Sequence, residues 1–138
     1  MTFDVFLNFD GDCREALNFY AEVFGLEVPA QIMTYDQAPD GEDMGIGNEG
    51  RILYATLPIF GSNVMFSDCP AGGDSYVKGT NIALTLGTSD EVELTKVFNA
   101  LAKDGEIQMP LEKTFFSELY GMVTDKFQMT WQLSKTRI

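Results

Sequence analysis

Apolar and polar positions change period several times along the chain, and each change marks an element. Residues 3–9 alternate around Phe, Val and Leu and predict a strand. From Asp12 the period lengthens. Ala16, Leu17, Phe19, Tyr20, Val23 and Phe24 form a broad apolar stripe at helical spacing. Asp12 and Glu15 stand at capping-box spacing before it, and Gly25 supplies the stop. Residues 27–35 read as a second strand. Residues 51–59 and 63–68 flank Phe60-Gly61-Ser62 and predict a hairpin, with Pro58 at a strand end or edge. Strand-like patterning returns over residues 80–87, after which Ser89 or Asp90 caps a helix running to about Lys103, stopped by Asp104-Gly105. Residues 106–109 begin a strand that Pro110 interrupts. Residues 115–124 and 129–135 form a last hairpin around Asp125-Lys126-Phe127-Gln128.

The order β-α-β-β-β is thus written twice, offset by roughly 77 positions: Asp4 to Phe9 leads through Gly11-Asp12 into Leu17, Tyr20 and Phe24, and Asn81 to Leu86 leads through Thr88-Ser89 into Leu94, Val97 and Leu101. A helix covers only one face of each small sheet, and the duplicate supplies a layer for the other. The expected fold is α+β: one domain over 1–138, made of repeats 1–70 and 80–138, forming a half-open, barrel-like arrangement with a lined cavity. Cavities of that kind suit small molecules. Two irregular segments, 36–50 and 69–79, read as loops that are candidate lids. Gly45-Ile46-Gly47-Asn48-Glu49-Gly50 has GxGxxG spacing. It precedes a strand, whereas the dinucleotide fingerprint follows a strand and opens a helix, so it reads as loop.

Composition narrows the chemistry. The 138 residues are 45% hydrophobic, enough for a core, and no apolar run approaches the ~20 residues of a membrane span. Met1-Thr2-Phe3-Asp4 opens without a basic or long apolar region, so no signal peptide is expected and the simplest location is the cytoplasm. Twenty-one acidic residues against nine basic give a net charge of −12, a field that repels nucleic acid and anionic membranes. Cys13 and Cys69 are too few for a disulfide scaffold and read as free thiols; Cys13, at a helix N-terminus, is the one with a possible reactive role. The chain contains no histidine.

Three stretches resemble a known family. Phe9-Asp10-Gly11-Asp12-Cys13-Arg14-Glu15-Ala16-Leu17-Asn18-Phe19-Tyr20-Ala21-Glu22-Val23-Phe24-Gly25 is similar to the "FxGxxxEAxxFYxxVFG" opening of vicinal oxygen chelate proteins, the superfamily of glyoxalase I, bleomycin-resistance proteins and extradiol dioxygenases. Met109 to Phe116 resembles the "MPLxxTFW" segment of its PhnB-like branch. Tyr120 to Phe127 with Met129-Thr130-Trp131 resembles that branch's "YGMxxDxFGxxW". The duplication is that of the superfamily, and the resemblance covers essentially the whole chain. Some branch members carry a methyltransferase label. This chain shows no Gly-rich strand-to-helix turn of the methyl-donor type.

Metal enzymes of the superfamily draw one ligand from each of four places, which the resemblance puts near Asp4 or Val5, near Met65, at Asn81 and at Gln132. Amides and a thioether are poor ligands for Zn²⁺, Fe²⁺ or Ni²⁺, and an extradiol oxygenase needs histidines the chain does not have. No metal and no other cofactor is therefore expected. An all-oxygen Mg²⁺ or Ca²⁺ site using Asp4 or Glu118 stays open, without a clear cluster.

For ligand binding, the candidates are Tyr35, Tyr54, Phe116, Tyr120 and Trp131, with Phe66, as aromatic walls. Met33, Met65, Met122 and Met129 make adaptable lining. Asn8, Ser67, Asn81, Thr85 and Gln132 are the polar anchors. Together they suit a flat or apolar ligand, and the negative charge suits a cationic one. Glu118 is the candidate catalytic base, with Glu112 behind it; a solvated strand residue is the competing reading of Glu118. The leading functional expectation is a small-molecule binder without a catalytic metal. The alternatives are a divergent lyase or isomerase with a non-standard metal or a Glu base, and a structural or regulatory dimer with a degenerated cavity. The superfamily habit of completing cavities between subunits makes a homodimer the expected assembly.

Overall fold

The computed structural model describes residues 1–29, 31–37, 47–72 and 76–136. Ala30 of the second expected strand, 38–46 of the first expected loop (with Gly45 and Ile46 of the GxGxxG stretch) and 73–75 of the second loop lie outside the described residues. The chain divides into two units, Met1–Val77 and Lys78–Ile138.

In the first unit, β1 (Val5–Phe9) is followed by α1 (Cys13–Val23), β2 (Met33–Thr34), a 3-10 helix (Tyr35–Gln37), β3 (Ile52–Ile59) and β4 (Ser62–Asp68). The sheet order is β1-β4-β3-β2. β1 runs parallel to β4, from Val5 opposite Val64 to Phe9 opposite Asp68, and the other pairs are antiparallel. Alternation along β1 buries Leu7 and Phe9 on one face and leaves Phe6 and Asn8 exposed on the other. The buried face receives α1. The Tyr20 ring lies 5.9 Å from that of Phe66, which stacks on Phe9 at 6.0 Å. Burying side chains of this size contributes about 1.5–3 kcal/mol each.

Helix α1 starts and stops where its sequence predicts, but its N-terminal capping differs. Asp12 holds the N-cap position without a side-chain cap bond. The carboxylate of Asp68, at the end of β4, accepts the N–H groups of Gly11 (2.7 Å) and Cys13 (3.1 Å) instead. At the far end Gly25 sits at φ +66, and Gly25 N–H and Leu26 N–H donate to the carbonyls of Glu22 and Ala21, the two bonds of a Schellman motif. The strand expected over 27–35 shrinks to Met33–Thr34. Pro29 offers no ladder N–H, and the pairing of Met33 and Thr34 with β3 is already irregular. Thr34 N–H then donates to Gln37 Oε1, and the chain coils into the 3-10 helix.

In the second unit the order is β5 (Leu84–Thr88), α2 (Glu91–Ala102), β6 (Glu106–Glu112), β7 (Tyr120–Thr124) and β8 (Thr130–Lys135), with sheet order β5-β8-β7-β6. β5 runs parallel to β8; β8·β7 and β7·β6 are antiparallel. Asp90 caps α2, accepting the N–H groups of Val92 and Glu93. Three boundaries differ from expectation. β5 starts at Leu84, so Asn81 precedes it. β6 runs through Pro110, which is tolerated because β6 is an edge strand and its register shifts on either side. Phe115 and Phe116 precede β7 in a turn closed by Thr114 and Ser117, whose backbone and hydroxyl groups bond each other. Helix α2 sits close on its sheet at Gly121, where a Cβ would lie 2.8 Å from the Phe98 ring.

Among the described residues, each unit thus repeats a four-stranded mixed sheet with one α-helix on one face, an α+β pair of similar modules. Among the described residues no helix is long and apolar enough to cross a membrane.

Candidate functional site

The sheet face that each helix leaves uncovered is where the side chains accessible to a ligand lie. In the first unit, register places Phe6, Met65 and Thr56 in one row across β1, β4 and β3. The adjacent row holds Asn8 opposite Ser67, with Tyr54 and Met33 paired on β3 and β2. Phe6 is 45% exposed, Tyr54 43% and Met33 42%. The sequence-predicted residues Asn8, Tyr54 and Met65 are therefore brought together on this open face.

Tyr35 and Ser67 are placed differently. Tyr35 is buried in the 3-10 helix and donates its hydroxyl to the Asp68 carbonyl at 2.7 Å. Burial, the first cause, pushes its phenol pKa up, against the Ser67 contact that lowers it. The Ser67 hydroxyl is also buried and donates toward the carbonyls of Asp68 (3.1 Å) and Ile52 (3.4 Å). Both residues close one end of the sheet and are corrected from ligand contacts to structural groups.

In the second unit, Thr85 stands opposite Gln132, which pairs with Met122 on β7, itself opposite Met109 on β6. Tyr120 pairs with Ser134 on the same face. Thr85, Tyr120 and Gln132 are thus gathered as expected, on a face rich in hydroxyl and amide groups. Trp131 is not among them. It is 3% exposed on the helix-covered face and donates its indole N–H to Asp125 Oδ2 at 2.8 Å. Strand alternation forces this correction, since its neighbour Gln132 takes the open side. Asn81 is exposed and off the sheet. Phe116 stands in the turn before β7, exposed, with edge-on contacts to Phe115 (5.1 Å) and Tyr120 (4.9 Å).

Glu118 also precedes β7. Its side chain is 68% exposed and lies 2.8 Å from Lys135 Nζ, which reaches Glu91 at the same distance. The two carboxylates, Glu118 first, push the Lys135 pKa up. A solvated carboxylate paired with a cation lacks the desolvation that makes a general base. Glu112, on β6, is likewise exposed.

Two groups the sequence reading did not single out organise the units. Asp68 is buried; besides Gly11 and Cys13, it accepts Ile52 N–H at 2.9 Å through its second oxygen. Asp125 is its counterpart in the last hairpin, accepting Phe127 N–H, Met129 N–H and the Trp131 indole. An aspartate closing an apolar strand or opening a tight turn is the signal for both. Phe6 was also missed; its i±2 neighbours, Asp4 and Asn8, mark it as belonging to the polar face of β1.

Cys13 is fully buried. Burial, then the charges of Asp68 and Asp12, raise its thiol pKa far above the ordinary 9.0, with Arg14 opposing. Cys69 moves in the same direction, by burial first and then by Asp10 and Asp68. Neither thiol is activated.

The four metal-ligand places of the superfamily do not assemble a donor set. Met65 and Gln132 supply a thioether and an amide, Asn81 is off the sheet, and Asp4 bonds Thr2 at the chain start. Among the described residues no three His, Cys, Asp or Glu side chains converge on a metal position. The residues do not fit a Zn²⁺, Ni²⁺ or Fe²⁺ centre.

Similar proteins share this architecture. The YjdN protein of Escherichia coli is 29% identical over 97% of this chain and 95% of its own. The PhnB protein from Bacillus cereus is 32% identical, covers 99% of this chain and 100% of its own, and superposes with a TM-score of 0.81. A protein from Pseudomonas aeruginosa is 31% identical over 98% and 97% of the two chains, with a TM-score of 0.80. A glyoxalase/bleomycin resistance/dioxygenase family enzyme from Burkholderia phytofirmans, 16% identical over 96% and 98% of the chains with a TM-score of 0.63, shares the fold. With residues 2–134 matching its family, the chain belongs to the 3-demethylubiquinone-9 3-methyltransferase family, the PhnB-like branch of the glyoxalase/bleomycin-resistance/dioxygenase fold.

Proposed function

We propose that the chain binds a small organic molecule on the open face of its sheets, and that it does so without a catalytic metal. The observation that carries this reading is the first unit's open face. Phe6, Met33 and Tyr54 are each left more than two-fifths exposed on a sheet whose other face buries Leu7, Phe9, Ala55, Leu57, Val64 and Phe66. Exposed aromatic and thioether side chains gathered by register are what a ligand surface needs and what a core does not. The amide and hydroxyl groups of Asn8 there, and of Thr85, Tyr120 and Gln132 on the second sheet, supply orienting hydrogen bonds.

Methyl transfer, named in the family description, is not the reaction we assign. Helix α1 opens after Gly11-Asp12 and α2 after Ser89-Asp90, and both helix starts are filled by aspartate carboxylates. A methyl-donor site of the Gly-rich type keeps such N–H groups free for the ligand. A metal-dependent lyase is disfavoured by the donor set, and Glu118 as a base by its ion pair and exposure.

Screening small molecules against the chain in excess chelator tests the reading. A ligand present at a hundred times its Kd stabilises the folded state by about 2.7 kcal/mol, readable as a rise in Tm. The expected result is saturable stabilisation in chelator that is weakened by Tyr54→Ala. Stabilisation that disappears on chelation would return a metal-dependent activity to first place.

A further inference from the structure

The net negative charge of this protein lies almost wholly in its first unit. Residues 1–77 hold 13 of the 21 acidic residues and two of the nine basic ones, a net charge of −11; residues 78–138 carry −1. Neither arginine of the first unit stands on its open face. Arg14 lies on α1, the helix that covers the opposite face. Arg51 precedes β3 and is committed to Asp10 Oδ1 and the Cys69 carbonyl, both at 2.8 Å. Among the described residues of the first unit, that open face therefore carries no cationic side chain to pair with an anion.

It offers a cation two rings. Phe6 on β1 and Tyr54 on β3 flank β4, whose Met65 forms the floor between them. Strands lie ~4.8 Å apart and same-face neighbours along a strand ~6.8 Å apart, so the two aromatic residues, two strands and one row apart, stand ~12 Å apart on a diagonal across the sheet, room for a planar ring system lying over Met65. Aromatic faces attract cations, and a thioether adapts to a flat ligand.

We infer that the ligand of the first unit is a planar aromatic cation, held over Met65 between Phe6 and Tyr54 and drawn in by the negative charge of residues 1–77. This rests on the small-molecule reading above and names the class of molecule. Electrostatics of this kind raises encounter rates and rejects like-charged competitors. Asn8, exposed beside the pair, adds an amide able to donate to or accept from a ring substituent.

Fluorescence titration of the full chain, in chelator and about 0.15 M salt, with three isosteric probes tests it: N-methylacridinium, acridine in its neutral form, and acridine-9-carboxylate. The cation is expected to bind at least about tenfold more tightly than acridine, and the carboxylate not to saturate. Phe6→Ala and Tyr54→Ala should each weaken the cation by about three- to thirtyfold, the range of a cation–π contact. Glu22→Gln, which removes one charge from α1, should leave it within about twofold. Equal affinity for all three probes would overturn the cationic class while leaving the open-face reading standing. Cation binding unchanged by both aromatic variants would overturn the site. No saturable binding of any probe would overturn the proposal, and the thermal screen in chelator then decides the broader reading separately.

Discussion

Asp68 carries three backbone N–H groups on one buried carboxylate, and by doing so it joins the start of α1, the end of β4 and the start of β3. Each buried donor left without a partner costs about 1–3 kcal/mol. Asp68→Ala is expected to lower unfolding free energy by about 3–5 kcal/mol in urea denaturation, with Asp68→Asn losing less because one acceptor oxygen remains. An alanine variant as stable as the parent would remove Asp68 from this role. The thiols give a second expectation. Thiolate is the reactive form, and burial suppresses it at Cys13 and, to a lesser extent, at Cys69. At pH 8 a disulfide reagent should label Cys69 slowly and Cys13 only after denaturation; rapid labelling of Cys13 in the folded chain would contradict its burial. The sign for stability follows. Cys13 stays protonated when folded and ionises near 9.0 when unfolded, so its contribution is intact below pH 9 and is lost as pH rises beyond it. At this scale the sequence brought out Asn8, Tyr54, Met65, Thr85, Tyr120 and Gln132, which strand register sets on the faces away from the helices. It misplaced Trp131 because an aromatic in an alternating strand fits either face until a partner such as Asp125 is known.

The elements were legible where two independent signals agreed. Helix α1 had a periodic stripe and a Gly25 stop, α2 had an Asp90 cap, and both hairpins had turn residues between alternating runs. Where signals conflicted, tertiary context decided. Residues 27–35 carry Pro29 and no period of two, and among the described ones only Met33–Thr34 pairs. Pro110 reads as a break, yet the edge position of β6 needs no inward N–H there. Gly121 is an example that sequence alone leaves mute. In β7 it admits the Phe98 ring of α2 and the carbonyl of Met109 at distances no Cβ tolerates without movement, 2.8 and 3.1 Å. Gly121→Val is expected to destabilise the chain by about 1–3 kcal/mol, the usual cost of overpacking. Thermal unfolding measures it, and a neutral result would mean that α2 shifts freely on its sheet.

For the molecule as a whole, the duplication written in the sequence returns as two similar sheet-and-helix modules, and family membership follows from nearly the full chain. What the sequence could not display was which side chains each helix would cover. That depends on register, and a slip of one residue exchanges the two faces of a strand. The proposed function rests on the result: one open face that is aromatic and lies in a unit of charge −11, and another that is polar. The most direct test is amide chemical-shift mapping of the metal-stripped protein during titration with hits from a small-molecule screen. The account predicts saturable shifts clustered on the open-face positions, Phe6, Asn8, Tyr54, Thr56 and Met65 or Thr85, Tyr120, Met122 and Gln132. Shifts confined to Glu118 and its neighbours, or binding that requires an added divalent metal, would contradict it.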